Sequence, residues 1–423
     1  MFIKVILTVI FLVVMVGVGV YSRKQASSVD GFVLGGRAVG PWLTAFAFGT
    51  SYFSAVVFVG YAGQFGWKYG MSSAWIGIGN AIIGSLLAWI ILGRRTKLMT
   101  QHIESRTMPD FFGTRFSDQG LRVAASIIAF VFLIPYTAGV YSGISRLFEM
   151  GFDIPYEYCV VILTSLGTMG LPQMVGKFYS ITDESAIKRG TVISTIFAFI
   201  VAGGCYFLGG FGRLYDPVIN PATGKIAFDS IVPAMLVTLP DVLIALVVLL
   251  VLSASMSTLA SLVLTSSSTM TLDLIYRDKK SLPGEVEDGT IDDIVAEKIE
   301  RRKVVVMRVL IMFFIVISLL IALNPPTFIA QLMGISWGAL AGAFLAPFML
   351  GLYWRGVTTT SVWACFIWGV GLTVINMLAG NPINPINCGA IAMVGGFPVV
   401  WLVSLFSKKL PKQTVDTIFE CYK

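Results

Sequence analysis

The sequence contains one histidine, His102, among 423 residues. It lies in a polar stretch that reads as a loop, which argues against histidine-based catalysis and against a histidine proton relay. Charge is scarce too. Asp, Glu, Lys and Arg make up 13% of the chain, and none falls near the middle of a long apolar run. Proton-coupled transporters keep an ionisable residue at membrane depth, because a proton must bind something titratable, so that mode is largely excluded. The five cysteines are scattered without paired spacing. Cys159, Cys205 and Cys365 read as small core residues, and neither a disulfide framework nor a metal site is indicated. No nucleophile–base set, metal-ligand cluster or phosphate loop appears, so an enzyme is not expected.

What the chain has instead is hydrocarbon. Apolar residues make up 56% of it. They fall in long runs that are apolar all round, unlike soluble amphipathic helices. The alternating segments of a membrane barrel are missing. At ~20 residues per crossing there are about eleven spans, near 3–22, 41–66, 72–93, 121–148, 156–176, 190–212, 240–272, 304–323, 328–352, 359–380 and 386–406. The expected fold is all-α and polytopic, with one transmembrane domain over 1–423. The first run ends in Ser-Arg-Lys-Gln rather than a small-residue cleavage site, and reads as a retained span.

The net charge of +7 lies in the connections. Basic and Lys/Arg-poor connections alternate strictly, which by the positive-inside rule places the N-terminus outside and the C-terminus in the cytoplasm of a cell-membrane protein. Residues 277–303 then form a cytoplasmic connector of mixed charge, and 407–423 a cytoplasmic tail. The bilayer is the expected surrounding; no nucleic acid and no obligatory protein partner are indicated.

Val242–Asp273 is the most informative stretch. Its first half, VLIALVVLLVL, is as apolar as lipid. Its second half, SASMSTLASLVLTSSSTMTLD, carries eleven Ser and Thr hydroxyls and no charge before Asp273. A lipid-facing helix has no use for them, so they point to another helix, water or a small cation. Ala254, Ser257 and Thr258 share one helical face. Two hydroxyls and a carbonyl there are able to replace part of the water shell of a hard monovalent ion. Further carbonyls become available only where a helix breaks. Gly49-Thr50-Ser51-Tyr52-Phe53-Ser54 is one candidate break, although small residues there also serve tight helix packing. Thr164–Gln173, with two glycines and a proline, is a second.

With these motifs in view the chain resembles the sodium:solute symporter family over nearly its whole length. DGFVLGGRAVGPW (30–42), TMPDFFGTRF (107–116), TSLGTMGLPQMVGKFY (164–179), SASMSTLASLVLTSSSTMTLDL (253–274) and LGLYWRG (350–356) carry the resemblance in order. It implies a leucine-transporter-type five-plus-five inverted repeat with flanking helices. It also implies Na+ as the coupling ion, held between the first and eighth core helices. By position, Thr50, Phe53 and Ala254 would give carbonyls, and Ser257 and Thr258 hydroxyls. A small organic solute (amino acid, sugar or carboxylate) would sit beside it against Tyr52, Ser54, Tyr136, Thr164, Thr168 and Met169. Where the family's proline transporters have an Asp this chain has Tyr52, and where they have aromatics it has Thr164 and Thr168, so proline itself is doubtful.

The chain departs from the family in length. Members typically have about thirteen spans, whereas DIPYEYCVV (153–161) runs here straight into ILTSLGTMG (162–170). The segment missing between them would include the fifth core helix. The expected function is sodium-coupled symport by alternating access. The alternative is a non-transporting relative that acts as a binding or sensor scaffold.

Overall fold

The computed structural model describes residues 2–22, 28–53, 56–143, 172–216, 219, 226, 231–237, 239–276, 293–323, 329–383 and 385–422. Helices occupy ten of the eleven expected spans among these residues. The remaining span, 156–176, lies mostly outside them. In chain order the first helices are α1 (Phe2–Ser22), α2 (Val29–Leu34), α3 (Pro41–Tyr52), α4 (Ala62–Tyr69) and α5 (74–102). Next come α6 (Met108–Arg115), α7 (Gln119–Gly143), α8 (Pro172–Ser180) and α9 (Glu184–Leu214). A short α10 (Ile231–Val237) precedes α11 (Asp241–Thr269), whose helical course runs on to Ile275. The last are α12 (Asp293–Leu323), α13 (Ile329–Tyr353), α14 (Thr359–Leu378), α15 (Pro385–Phe406) and α16 (Lys412–Phe419).

Local chemistry sets the boundaries that matter. Pro41 opens α3 at the position where a missing N–H costs nothing. Phe53 ends it, with φ −99° and ψ 86° well outside helical values. The chain then resumes a helical course at Val56 and reaches Gly70, whose φ of +60° and ψ of −140° suit glycine alone. Ser73 fixes this corner, its hydroxyl lying 2.7 Å from both the Gly70 and Tyr206 carbonyls and sharing its one proton between them. α4 and α9 touch backbone to backbone there. A Cβ added to Gly66 would lie 2.0 Å from the Gly209 carbonyl carbon. Close approach through small residues is a common glue between membrane helices.

Three features depart from the sequence reading. The connector 277–303 is helical from Asp293 onward, where α12 begins, and its mixed charge includes a Glu297–Arg301 pair at 2.8 Å, one turn apart. His102 closes α5 instead of lying in a loop, with its ring nitrogen 2.7 Å from the Thr417 carbonyl. The tail folds back as α16, which buries Val415, Ile418 and Phe419. Its amphipathic pattern is short, and a single turn of apolar residues near a chain end gives no hint of a docking surface.

α13, α14 and α15 pack tightly on one another, and α13 also meets α7. α3 lies between α9 and α11. The outward faces of α9, α11, α12 and α14 expose Ile200, Leu246, Met312 and Ile375. Apolar exposure on this scale is normal against lipid and abnormal in water.

Candidate functional site

α11 divides as its sequence divides. Val242, Leu243, Leu246 and Leu250 are open to the surroundings, whereas Ala254, Ser255, Thr258, Ser261 and Leu262 are buried. Helical periodicity thus turns the hydroxyl face inward and the aliphatic half outward. It faces the end of α3. Thr258 Oγ1 lies 3.0 Å from the Thr50 carbonyl oxygen, 3.1 Å from that of Ala254 and 3.5 Å from that of Ser51. Thr50 donates its hydroxyl proton to the Phe46 carbonyl at 2.7 Å. Its contact with Ser257 Oγ at 2.9 Å is therefore donated by Ser257. One turn further on, Ser51 and Ser261 share a hydrogen bond of 3.0 Å.

Four of the five predicted ligands, Thr50, Ala254, Ser257 and Thr258, therefore meet across two helices about 200 residues apart in sequence, and the Ser51 carbonyl joins them. Three carbonyl oxygens and the hydroxyl oxygens of Thr50, Ser257 and Thr258 gather in one place. The protons available to them are few, since each hydroxyl has one. Uncharged hard oxygen donors of this kind are the chemistry that suits an alkali ion. Phe53, the fifth predicted ligand, sits at the break itself with its ring stacked on Tyr52 at 4.3 Å. Groups of His, Cys, Asp or Glu able to hold a metal are absent among the described residues.

Of the predicted solute residues, Tyr52 and Tyr136 are buried. Tyr52 donates to Asn80 Oδ1 at 3.1 Å. It also leans on Gly84 so closely that an added Cβ would lie 2.3 Å from its hydroxyl. Tyr136 packs edge-on against Trp337 at 5.5 Å. Gln173 approaches its hydroxyl without reaching good hydrogen-bond geometry. Ser54, Thr164, Thr168 and Met169 lie outside the described residues.

The structure adds groups that sequence reasoning missed. α8 begins at Pro172 and brings Lys177 to α11, where its ammonium donates to Ser261 at 3.0 Å. The approach to α3 and the exit from α8 are joined through the backbone. The Val39 N–H donates to the Ser180 carbonyl, and the Thr182 N–H to that of Val39, both at 3.2 Å. Beyond Ser261 a cavity of about 210 Å³ opens between α3, α8 and α11. At the end of α11, Asp273 accepts from Thr107 at 2.6 Å and from Arg122 at 2.8 Å, and Arg122 also faces Asp110 at 3.5 Å. All three charged groups are buried. This network clamps α11 to α6 and α7. Among the clamping residues only the Thr-x-x-Asp cap of α6 leaves a sequence signal.

The fold is that of a polytopic helical transporter. Residues 32–166 and 161–369 match the model of the sodium:solute symporter family, and the chain belongs to that family. Sodium/proline symporters of Staphylococcus aureus strains JH9, NCTC 8325 / PS 47 and COL are each 23% identical to it over 489 aligned positions, covering 96% of this chain and 93% of the relative. A solved structure of a Na+-coupled sialic acid symporter, in a substrate-bound outward-open state, matches with a TM-score of 0.72 at 17% identity, covering 97% of this chain and 99% of that one. That likeness gives the leucine-transporter-type fold. The 489 aligned positions outnumber the 423 residues of this chain, so the relatives carry segments it lacks. The two family-matched stretches meet at residues 161–166, where the sequence reading places the missing segment. The chain is a sodium-coupled symporter and not an enzyme.

Proposed function

We propose that the coupling Na+ binds where α3 breaks against α11, held by the Thr50, Phe53 and Ala254 carbonyls and the Ser257 and Thr258 hydroxyls. The solute, a small organic molecule, binds beside it against Tyr52 and Tyr136, with Ser54, Thr164, Thr168 and Met169 completing the pocket. One observation carries this reading: the Thr258 hydroxyl bridges the Thr50 and Ala254 carbonyls, at 3.0 and 3.1 Å, across two helices. Sodium acts by differential affinity, because it favours the state in which α3 and α11 are joined and the solute pocket is formed. The basic connections face the cytoplasm of the cell membrane. Inward sodium movement then gains ~2.3 kcal/mol per charge for each 100 mV of membrane potential.

The test is counterflow of amino acids, sugars and carboxylates in proteoliposomes, followed by uptake of the active solute with and without sodium. Sodium-stimulated uptake that is lost in Ser257→Ala/Thr258→Ala supports the assignment. Full sodium dependence in the double variant removes it. Saturable solute binding without any sodium-dependent flux would contradict sodium coupling through this site.

A further inference from the structure

We infer that the cavity beyond Ser261 is a carboxylate subsite, with the Lys177 ammonium as its charged anchor. The inference rests on the transport reading above and narrows its solute to one that carries a carboxylate. The cavity is lined by Thr44, Ala47, Gln173, Lys177, Tyr179 and Ser261, among others. Two of these are built into the wall yet unsatisfied. Gln173 is 3% exposed and Tyr179 1% exposed, and among the described residues neither atom of the Gln173 amide nor the Tyr179 hydroxyl has a hydrogen-bond partner. Buried polar groups in native proteins are rarely left without partners, and a ligand is one of the standard explanations.

Charge selects the ligand. The lining contains two cations and no Asp or Glu. Arg106 is already paired, with Asp30 at 2.8 Å and Glu300 at 3.7 Å. Lys177 has a different environment. Its one contact is the Ser261 hydroxyl at 3.0 Å, and no carboxylate lies within ion-pair distance among the described residues. A half-buried ammonium without a charged partner gains most from an anion that also accepts the neighbouring amide and phenol protons. A carboxylate, with two acceptor oxygens, meets all three donors. Ser261 joins this cavity to the oxygen cluster, because it bonds Lys177 on one side and Ser51 on the other. The anionic end of the solute therefore comes to rest one helical turn from the sodium site, on the side of the basic connections. A neutral sugar gains only an ammonium–hydroxyl hydrogen bond there, without the charge pairing that a carboxylate adds.

The experiment uses purified full-length protein and isothermal titration calorimetry at fixed sodium chloride, so chloride is already in excess. The probes are potassium benzoate and its uncharged isostere benzamide. Benzoate is expected to bind saturably and benzamide not to bind. Lys177→Met should weaken benzoate binding about tenfold or more, and Lys177→Arg should restore most of it. Gln173→Leu should weaken it several-fold, and it carries the test should Lys177→Met fail to give a monodisperse protein. Equal binding of both probes, or unchanged benzoate affinity in Lys177→Met, overturns the proposal. The Ser257→Ala/Thr258→Ala protein keeps the two readings separable. Benzoate binding retained there while sodium-stimulated uptake is lost supports both. Benzoate binding absent from the wild type removes this subsite and leaves the sodium site standing.

Discussion

The α3–α11 contact and the α13–α14–α15 bundle are both buried, helical and rich in small residues, yet they are held by opposite means. At α3–α11 the helices meet through hydroxyls and carbonyls, with Thr258, Ser257 and Ser261 bonded to Thr50 and Ser51. In the bundle they meet mainly by close backbone approach, with isolated side-chain bonds such as that of Trp368 to the Ala392 carbonyl at 3.0 Å. A Cβ on Gly369 would fall 2.3 Å from the Gly342 carbonyl carbon, and one on Gly342 would fall 2.8 Å from the Ala392 side chain. A hydrogen-bonded seam has an alternative partner, because an ion or water can take over each oxygen. A close-packed seam has none, since separating it leaves only a void. The chain thus places its exchangeable contact at the proposed sodium site and its unexchangeable one in the close-packed bundle.

The largest expected effect lies on the rigid side. Gly369→Ala should force α13 and α14 apart and cost about 3 kcal/mol or more, the upper range for overpacking. Size-exclusion profiles should show little monodisperse protein. A well-folded, active Gly369→Ala protein would break the comparison at its packed end. Next comes Ser257→Ala/Thr258→Ala, which should reduce sodium stimulation about tenfold or more while leaving the folded yield near that of the wild type. A collapse in yield would mean that the hydroxyl seam is structural and no exchangeable site.

Gly84→Ala sharpens the picture at the solute side. The new methyl would displace Tyr52, whose hydroxyl lies 2.3 Å from the added carbon. Apparent solute affinity should fall several-fold with sodium affinity retained, as read from uptake against each concentration. The smallest effect belongs to Ser51→Ala. It removes one hydrogen bond, worth about 0.5–1.5 kcal/mol, and shifts sodium affinity a few-fold at most.

Much of this site was legible before any coordinates. The Ala254/Ser257/Thr258 face stood out because hydroxyls without charges have no place on lipid. The break at Phe53 followed from Gly49, Thr50 and Ser51 in mid-span. Ten of the eleven spans and the family were readable for the same reason: hydropathy and motif order are local properties. What escaped notice was non-local. Asp110, Arg122 and Asp273 are spread over more than 160 positions, so nothing local says that they share one buried clamp. Lys177 falls just past the expected span 156–176, and no pattern in α8 alone shows that Ser261 awaits it. The glycines of α13 and α14 carry no local signal of their role, since their contact partners lie on another helix.

The most direct test of the central claim is equilibrium binding of radioactive sodium to purified protein. The wild type should bind it saturably, and Ser257→Ala/Thr258→Ala should lose that binding while keeping the same elution profile. Equal sodium affinity in the two proteins would place the ion elsewhere and contradict the account.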